Sequence, residues 1–389
     1  MLACFIIQPG KIELREINTP KPFHGEILVK IKAALTCGTD LKAYKRGHPV
    51  IPMPGVFGHE FSGIVAGVGR GVRRFKEGDE IMSVHSAPCL KCAFCKKKAS
   101  NLCEKIMETK ILGAFAEYMV LPSHILKQNV FHKPKNITFE EAAFLEPLSC
   151  VVHGIESLNI QKNNNTLVIG AGPIGLLHLL LLKQKGARVT ITDKHRKKLN
   201  VARKLGADFV INSKITDSPS PTPLPSREGS LSGHTWLRNE IISDRVSSSL
   251  FKEYIPSPLV GEGKGEGDIK LNKFTNNIGF DYVFECTGMP EVWESSINYV
   301  RRGGTVILFG GCKSGTKVTY DAGRLHYNEI TLRCVFHYTP SDVQKAYDLL
   351  RTKKLKVSKL ISERYSLKNI QKAFDKLSKG EGIKYAIIP

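Results

Sequence analysis

The feature that most constrains the fold is a glycine motif placed between a strand and a helix. Gly170, Gly172 and Gly175 form the pattern G-x-G-x-x-G directly after the apolar run 166–169, and a helix is predicted at 174–185. In this setting Gly170 makes a tight turn, Gly172 lets the backbone approach a pyrophosphate, and Gly175 allows close helix–strand packing. The motif therefore predicts a dinucleotide-binding βαβ unit with the pyrophosphate at the helix N-terminus.

Strands and helices alternate on both sides of this motif, which predicts a doubly wound parallel sheet with right-handed crossovers. Further strands are predicted at 188–192, 208–211, 281–285, 305–309 and 330–336, and further helices at 197–205, 291–300 and 343–350. By contrast, residues 1 to about 75 contain β-type runs bounded by Gly and Pro, typical of an antiparallel, partly closed sheet.

The end of the second predicted strand carries Asp193. A carboxylate at this position accepts hydrogen bonds from ribose hydroxyls and repels a 2′-phosphate, so NAD is favoured over NADP. The nearby basic residues Arg196 and Lys198 favour NADP instead.

One segment does not fit the alternation of strands and helices. Residues 216–276 are rich in Pro, Ser and Gly, a composition that buries little apolar surface. The segment is predicted to be a mostly disordered insertion in a surface crossover, with a regulatory interaction loop as the alternative.

Length and charge exclude several classes of protein. The 389 residues suffice for two domains, and 42% hydrophobic residues exclude a disordered chain. The net charge of +21 is interpreted as a solvated Lys-rich surface, because the basic residues are dispersed; nucleic acid, an anionic membrane or an anionic substrate are the alternatives. The apolar run 173–182 is too short to span a bilayer, and the N-terminus lacks a leader pattern, so a cytoplasmic protein without nucleic-acid or membrane partners is expected.

Four of the ten cysteines form a tight cluster with the spacing of a metal site. Cys89, Cys92, Cys95 and Cys103 lie in one short lobe at about 86–106. Four thiolates close a tetrahedral zinc site and leave no position for water, so the predicted zinc is structural.

A second set of metal-ligand residues is dispersed along the chain. Cys37, the pair His59–Glu60, and Glu146 supply a thiolate, an imidazole and carboxylates. Such a set leaves a coordination position open to water or substrate, which catalysis by zinc needs. The interpretation depends on these residues occurring together with the cysteine lobe and the glycine motif.

Taken jointly, these motifs are similar to those of the zinc-dependent medium-chain dehydrogenases, more narrowly the sorbitol/iditol and threonine dehydrogenase branch. The resemblance covers almost the whole chain except the insertion. It implies an α/β protein: a GroES-like β-rich catalytic domain at 1–155, a Rossmann domain at 156–337, and a return to the catalytic domain at 338–389. It also implies two zinc ions per chain, NAD, and a homodimer or homotetramer.

The resemblance assigns roles around the catalytic zinc. Cys37 and His59 would bind the metal directly, and Glu60 and Glu146 directly or through water. Asp40 would accept a hydrogen bond from His59 and fix its tautomer.

The resemblance also implies contacts with substrate and cofactor. Thr39 would hydrogen-bond the substrate oxygen and begin the proton relay. Ile174 and Lys198 would contact the pyrophosphate and adenosine half of the cofactor. Two further runs would border the nicotinamide: Phe309, Gly310 and Gly311, and Val335, Phe336 and His337.

The sequence departs from this branch at substrate-side positions. Lys42 and Ala43 stand where His and Tyr are typical, and His337 stands where polyol members often have Arg. Lys42 or His48 is a candidate replacement in the relay, with exposure of both to solvent as the alternative. The expected activity is NAD-dependent oxidation of a secondary alcohol or polyol. Alternatives are a polyol phosphate, threonine or an amino alcohol as substrate, or an inactive relative that acts as a binding protein.

Overall fold

The computed structural model describes residues 1–213 and 274–389. Apart from its last few residues, the predicted insertion at 216–276 lies outside the described part of the chain. Within the described part, no helix has the length and apolar character needed to cross a membrane.

A six-stranded parallel sheet forms around the glycine motif, in the order β11-β10-β9-β12-β13-β14. This order is that of a Rossmann sheet, with the reversal next to β9, and it confirms the predicted doubly wound fold. The strands are β9 (Asn165–Ile169), β10 (Arg188–Asp193), β11 (Phe209–Asn212), β12 (Phe280–Glu285), β13 (Val300–Leu308) and β14 (Thr331–Cys334).

Two mainly antiparallel sheets form the β-rich part. A three-stranded sheet has the order β2-β1-β4, and a larger sheet runs β15-β16-β3-β5-β6-β8 with β7 beside β3. Their strands are β1 (Leu2–Gln8), β2 (Lys11–Glu16), β3 (Ile27–Leu35), β4 (Gly55–Val56), β5 (Glu60–Val68), β6 (Glu80–Ser83), β7 (Tyr118–Leu121), β8 (Val130–His132), β15 (Ile361–Ser366) and β16 (Lys384–Ile388).

The end of the chain returns to the β-rich part. Strand β16 pairs with β3, so that Ala386 opposes Leu35, and β15 extends the same sheet in parallel. Because β16 lies beside β3, the strand that leads to Cys37, residues near the end of the chain lie close to Cys37.

The helices cover the sheets and link them. Helix Leu145–Glu156 packs in one apolar core with the glycine-motif helix and with helix Pro340–Arg351. The α-helices of the described residues are Gly38–Arg46, Ala93–Lys96, Ser123–Asn129, Phe139–Ala142, Leu145–Glu156, Pro173–Gln184, Arg196–Lys204, Pro290–Ser295, Ala322–Tyr327, Pro340–Arg351 and Ile370–Ser378.

One predicted helix is shorter than expected. The structure has helix Pro290–Ser295 and a 3₁₀ turn where a helix was predicted at 291–300, and β13 begins at Val300 instead of 305. The register of β13 against β12 shifts between Val300 and Thr305, and Gly303 in this bulge has a positive φ of 65°. The glycine therefore lets the strand continue through an irregularity that the sequence pattern presents as a break.

Candidate active site

The glycine motif has the shape that its sequence predicts. Gly170 has a φ of 104°, in the range that favours glycine. A Cβ on Gly175 would lie 1.8 Å from the carbonyl oxygen of Gly170, whereas a Cβ on Gly172 would meet nothing within 4 Å. The close packing and the open space beside the helix N-terminus together form a cradle that suits a pyrophosphate.

Asp193 lies at the carboxyl end of β10 and holds the glycine turn. Its carboxylate accepts hydrogen bonds from the backbone N–H of Ala171 at 2.9 Å and of His195 at 2.8 Å. The structure thus brings Asp193 to the glycine motif. Ile174 begins the helix there, and Lys198 is half-buried on the next helix.

The four cysteines of the lobe converge. The sulfur atoms of Cys89, Cys92, Cys95 and Cys103 all lie within 4.8 Å of one another. Backbone N–H groups lower the pKa of Cys92 to about 6, while burial and neighbouring thiols raise the pKa of Cys95 to about 12. Because thiolates so close together repel one another, a bound dication is what lets all four ionise, and the donor set fits zinc.

A second cluster contains Cys37, His59 and Glu60, whose ligand atoms also lie within 4.8 Å of one another. Cys37 precedes helix Gly38–Arg46, and His59 and Glu60 lie where β5 begins. The thiolate, imidazole and carboxylate of this set fit a zinc ion with an open position.

Asp40 supports this cluster from the first turn of the helix. Its buried carboxylate lies 3.3 Å from Nδ1 of His59 and accepts a hydrogen bond from the backbone N–H of Cys37 at 3.1 Å. Burial alone would lower the pKa of His59, but the charges of Asp40 and Cys37 outweigh it and raise this pKa well above its usual value. Since Nδ1 faces Asp40, the other ring nitrogen is left to bind a metal.

Glu146 lies beside the cluster but outside its 4.8 Å set. It is buried on helix Leu145–Glu156, with one carboxylate oxygen 3.5 Å from Nδ1 of His85 and 3.8 Å from the thiol of Cys150. Burial raises the pKa of Glu146 to about 7. The geometry therefore gives one carboxylate in the cluster, Glu60, and a second one near it.

Comparisons with known proteins agree with this pair of sites. The alcohol dehydrogenase GroES-like domain model matches residues 24–134, and the zinc-binding dehydrogenase model matches residues 173–222 and 263–352. The chain belongs to the zinc-dependent medium-chain dehydrogenases. As a member of this family it is an oxidoreductase that uses zinc and a nicotinamide cofactor.

Individual relatives align over the whole chain. D-arabinitol dehydrogenase 1 of Uromyces fabae is 28% identical over 395 residues, covering 100% of this chain and 97% of that protein. Sorbitol dehydrogenase of Bacillus subtilis is 26% identical over 398 residues, with the same two coverages. A zinc-binding dehydrogenase of Sinorhizobium meliloti, whose structure was solved with NADP bound, is 26% identical in sequence and superposes with a TM-score of 0.76. The alignment covers 100% of this chain and 99% of that one.

The loops predicted to border the nicotinamide lie against the catalytic part of the dehydrogenase. Lys42 donates a hydrogen bond to the carbonyl oxygen of Gly311 at 2.9 Å. On the other loop, Asn101 donates to the carbonyl oxygen of Phe336 at 3.2 Å, and Nε2 of His337 lies 2.7 Å from the hydroxyl of Ser86. These contacts hold the two loops against Lys42, Asn101 and Ser86 of the β-rich part.

The other residues expected to contact cofactor or substrate differ in their surroundings. The Phe309 ring packs edge-on against His178 at 4.8 Å, and Val335 is partly buried against the main core. Gly310 accepts a hydrogen bond from the indole of Trp293 at 2.8 Å. Thr39 is half-buried on the first turn of the helix that follows Cys37.

The dehydrogenase site contains a buried polar group that sequence reasoning missed. The Tyr338 hydroxyl lies 3.0 Å from the hydroxyl of Ser86 and 3.3 Å from Nδ1 of His85. Burial, with the neighbouring His59 and His337, lowers the pKa of His85 well below its usual value. The local signals were that His85 and Ser86 lie at the start of the cysteine lobe, and that Tyr338 directly follows His337, which the resemblance places beside the nicotinamide.

Lys384 is the second group that was missed. This lysine is 1% exposed, donates to the carbonyl oxygen of Thr36 at 2.8 Å, and forms an ion pair with Oε2 of Glu60. The other carboxylate oxygen of Glu60 is buried without a hydrogen-bond partner. Glu60 therefore has one oxygen held by a lysine and one available to a metal ion.

Proposed function

We propose that this dehydrogenase oxidises a secondary alcohol or polyol to a ketone, reversibly, with NAD as hydride acceptor. The observation that carries the proposal is the cluster of Cys37, His59 and Glu60 within 4.8 Å, next to a helix whose Lys42 donates a hydrogen bond to Gly311 on the loop expected beside the nicotinamide. The names of two relatives, a D-arabinitol and a sorbitol dehydrogenase, support a polyol as substrate.

Cys37 and His59 would hold the catalytic zinc together with Glu60 or Glu146, and the cysteine lobe would hold a structural zinc. When bound, zinc supplies Lewis acidity toward a hydroxyl group and the nicotinamide accepts a hydride. The buried Asp40 keeps His59 in the metal-binding tautomer. Thr39, on the same helix turn, would orient the substrate hydroxyl and take its proton toward solvent.

NAD is proposed over NADP because Asp193 places a carboxylate at the end of β10, next to the glycine turn. A 2′-phosphate would be repelled there. The Sinorhizobium meliloti relative was solved with NADP bound, so the preference of this chain between NAD and NADP should be measured directly. An Asp193→Ser variant should have a higher KM for NAD and a smaller preference for NAD over NADP, measured as the ratio of the two kcat/KM values.

The domain boundaries given above, a homodimer or homotetramer, and a cytoplasmic location complete the proposal. The ten cysteines of the described residues are all free thiols, and reduced thiols at two zinc sites suit a reducing compartment. Sedimentation of the purified protein would measure the oligomeric state.

The test joins metal content to activity. Metal analysis of the purified protein should give about two zinc ions per chain, and NADH formation should occur with one class of a panel of polyols, polyol phosphates, diols and threonine. A Cys37→Ser variant should lose catalytic zinc and activity, while Cys334→Ser, an exposed cysteine outside both clusters, should keep both. One zinc per chain, no NADH binding and no turnover would instead support the inactive-relative alternative.

A further inference from the structure

The helix that begins at the zinc cluster presents two cations on one face. Lys42 and Arg46 are one turn apart on helix Gly38–Arg46, and residues four apart lie on the same face of a helix. Lys42 is half-buried and Arg46 is exposed. Five residues before Lys42 the chain supplies the zinc ligand Cys37.

Lys42 bridges the helix that follows Cys37 and the loop of Gly311. Its ammonium group donates to the carbonyl oxygen of Gly311 at 2.9 Å, so it spans from the zinc-binding helix to the loop expected beside the nicotinamide. The reacting carbon must lie between the zinc ion and the nicotinamide. Lys42 is therefore placed at the rim of the space in which the alcohol would bind.

His48 adds to this basic rim. It is half-buried, and its Nδ1 accepts a hydrogen bond from the backbone N–H of Val50 at 3.4 Å. Besides burial, the charges of Lys42 and Arg46 lower the pKa of His48, while Asp40 acts in the opposite direction. His48 thus lies in the electrostatic field of both cations and of the zinc cluster.

Within the described residues, neither cation of this rim is paired with a carboxylate. Neither Lys42 nor Arg46 forms an ion pair there, and the nearby Asp40 is buried and engaged with His59 and with the backbone of Cys37. By comparison, Lys384 at the same site has its own partner in Glu60. Two uncompensated cations at a cleft attract a negatively charged ligand.

Resting on the proposed function, we propose that the alcohol oxidised by this enzyme carries a negatively charged group, phosphate or carboxylate, which Lys42 binds with support from Arg46 and His48. The ammonium group of Lys42 exchanges its hydrogen bond to Gly311 for one to the anion. A neutral polyol lacks this contact and is the poorer substrate.

Matched substrates test the proposal. Sorbitol, sorbitol 6-phosphate and gluconate share a polyol chain and differ in charge, so kcat/KM for the three compares a neutral, a phosphate and a carboxylate substrate. We expect one of the anions to exceed sorbitol. In a Lys42→Met variant its kcat/KM should fall relative to that of sorbitol on the order of 10- to 100-fold, the range for a lost hydrogen bond to a charged group. Lys42→Arg should retain most of the preference.

Lys45→Met is the matched control. Lys45 is on the same helix but donates to the carbonyl oxygen of Ser378 at 2.9 Å, so its removal should leave the three values unchanged. Equal or better oxidation of sorbitol, with an unchanged ratio in Lys42→Met, would overturn the inference and leave the dehydrogenase assignment standing.

A binding measurement covers the case in which none of the three compounds is oxidised. Calorimetric titration of sorbitol 6-phosphate and gluconate into the NADH complex should show binding that Lys42→Met weakens and Lys45→Met does not. No binding, or equal binding by all variants, would refute the role of Lys42. The absence of zinc or of NADH binding would show separately that the proposed function had failed.

Discussion

Replacing Lys384 by Met would isolate the charge that faces Glu60. The two side chains are 1% and 0% exposed and form an ion pair in the catalytic part of the chain. Met has a similar length and removes the ammonium group, so Glu60 would be left in a buried site without its cation. Breaking a buried pair in this way is far more costly than losing an exposed one.

The ionisation of Glu60 sets an upper limit to the cost. A glutamate with an ordinary pKa of about 4.3 is protonated at pH 7 at a cost of about 3.7 kcal/mol, since each pKa unit corresponds to about 1.36 kcal/mol. Because protonation of Glu60 removes the buried charge, we expect the loss at pH 7 to approach but not exceed about 3.7 kcal/mol. At pH 5 the same reasoning gives about 1 kcal/mol, because protonation has become easier. The destabilisation should therefore shrink as the pH falls.

Urea unfolding followed by circular dichroism, on protein freed of metal with EDTA, would measure these values. The double variant Lys384→Met/Glu60→Gln should recover much of the stability, because it has no buried charge to neutralise. A loss below about 1 kcal/mol at pH 7, or a loss that does not depend on pH and is not rescued by Glu60→Gln, would refute the reasoning. Added zinc should reduce the difference, since Glu60 then has a cation again.

Three further outcomes follow from local geometry. Gly175→Ala places a Cβ 1.8 Å from a backbone carbonyl oxygen, so NADH affinity measured by fluorescence should fall at least about 10-fold, with an unchanged circular dichroism spectrum. Cys103→Ser should remove about one zinc ion per chain and lower the Tm, whereas the same change at the exposed Cys334 should do neither. Asp342→Asn should cost about 1–2 kcal/mol at neutral pH, because Asp342 caps a helix and bonds to His153 at 2.8 Å. Although burial raises the pKa of Asp342, its hydrogen bonds hold this pKa below the usual value. The difference in unfolding free energy between wild type and variant should therefore persist above about pH 4 and disappear as the pH falls through this lowered pKa. A difference that grows in acid would contradict this assignment.

Features encoded by short sequence spacing were predicted well. The glycine motif, the strands beside it and the convergence of the four cysteines each depend on residues close in sequence. Steric limits on the backbone and ligand spacing then leave few alternatives. The error at β13 arose at Gly303, where the sequence shows a glycine but not whether the strand breaks or bulges there.

The cluster of Cys37, His59 and Glu60 depends on long-range packing that local sequence patterns do not show. Cys37, His59 and Glu146 were identified by type and by resemblance, but their separation in space depends on how β3, β5 and helix Leu145–Glu156 pack. The structure places Glu60 inside the 4.8 Å set and Glu146 outside it. No periodicity or spacing in the sequence distinguishes these two carboxylates.

By itself, the sequence determined that this chain contains a dinucleotide-binding sheet, a four-cysteine lobe and the ligand types of a zinc site. Only the tertiary structure decided which charges face them. Lys384 reaches Glu60 across 324 residues, and Lys42 bonds to Gly311 across 269. Motifs made of residues close in sequence can be read from the sequence alone. Electrostatic partners that are distant in sequence are brought together only when strands and domains pack.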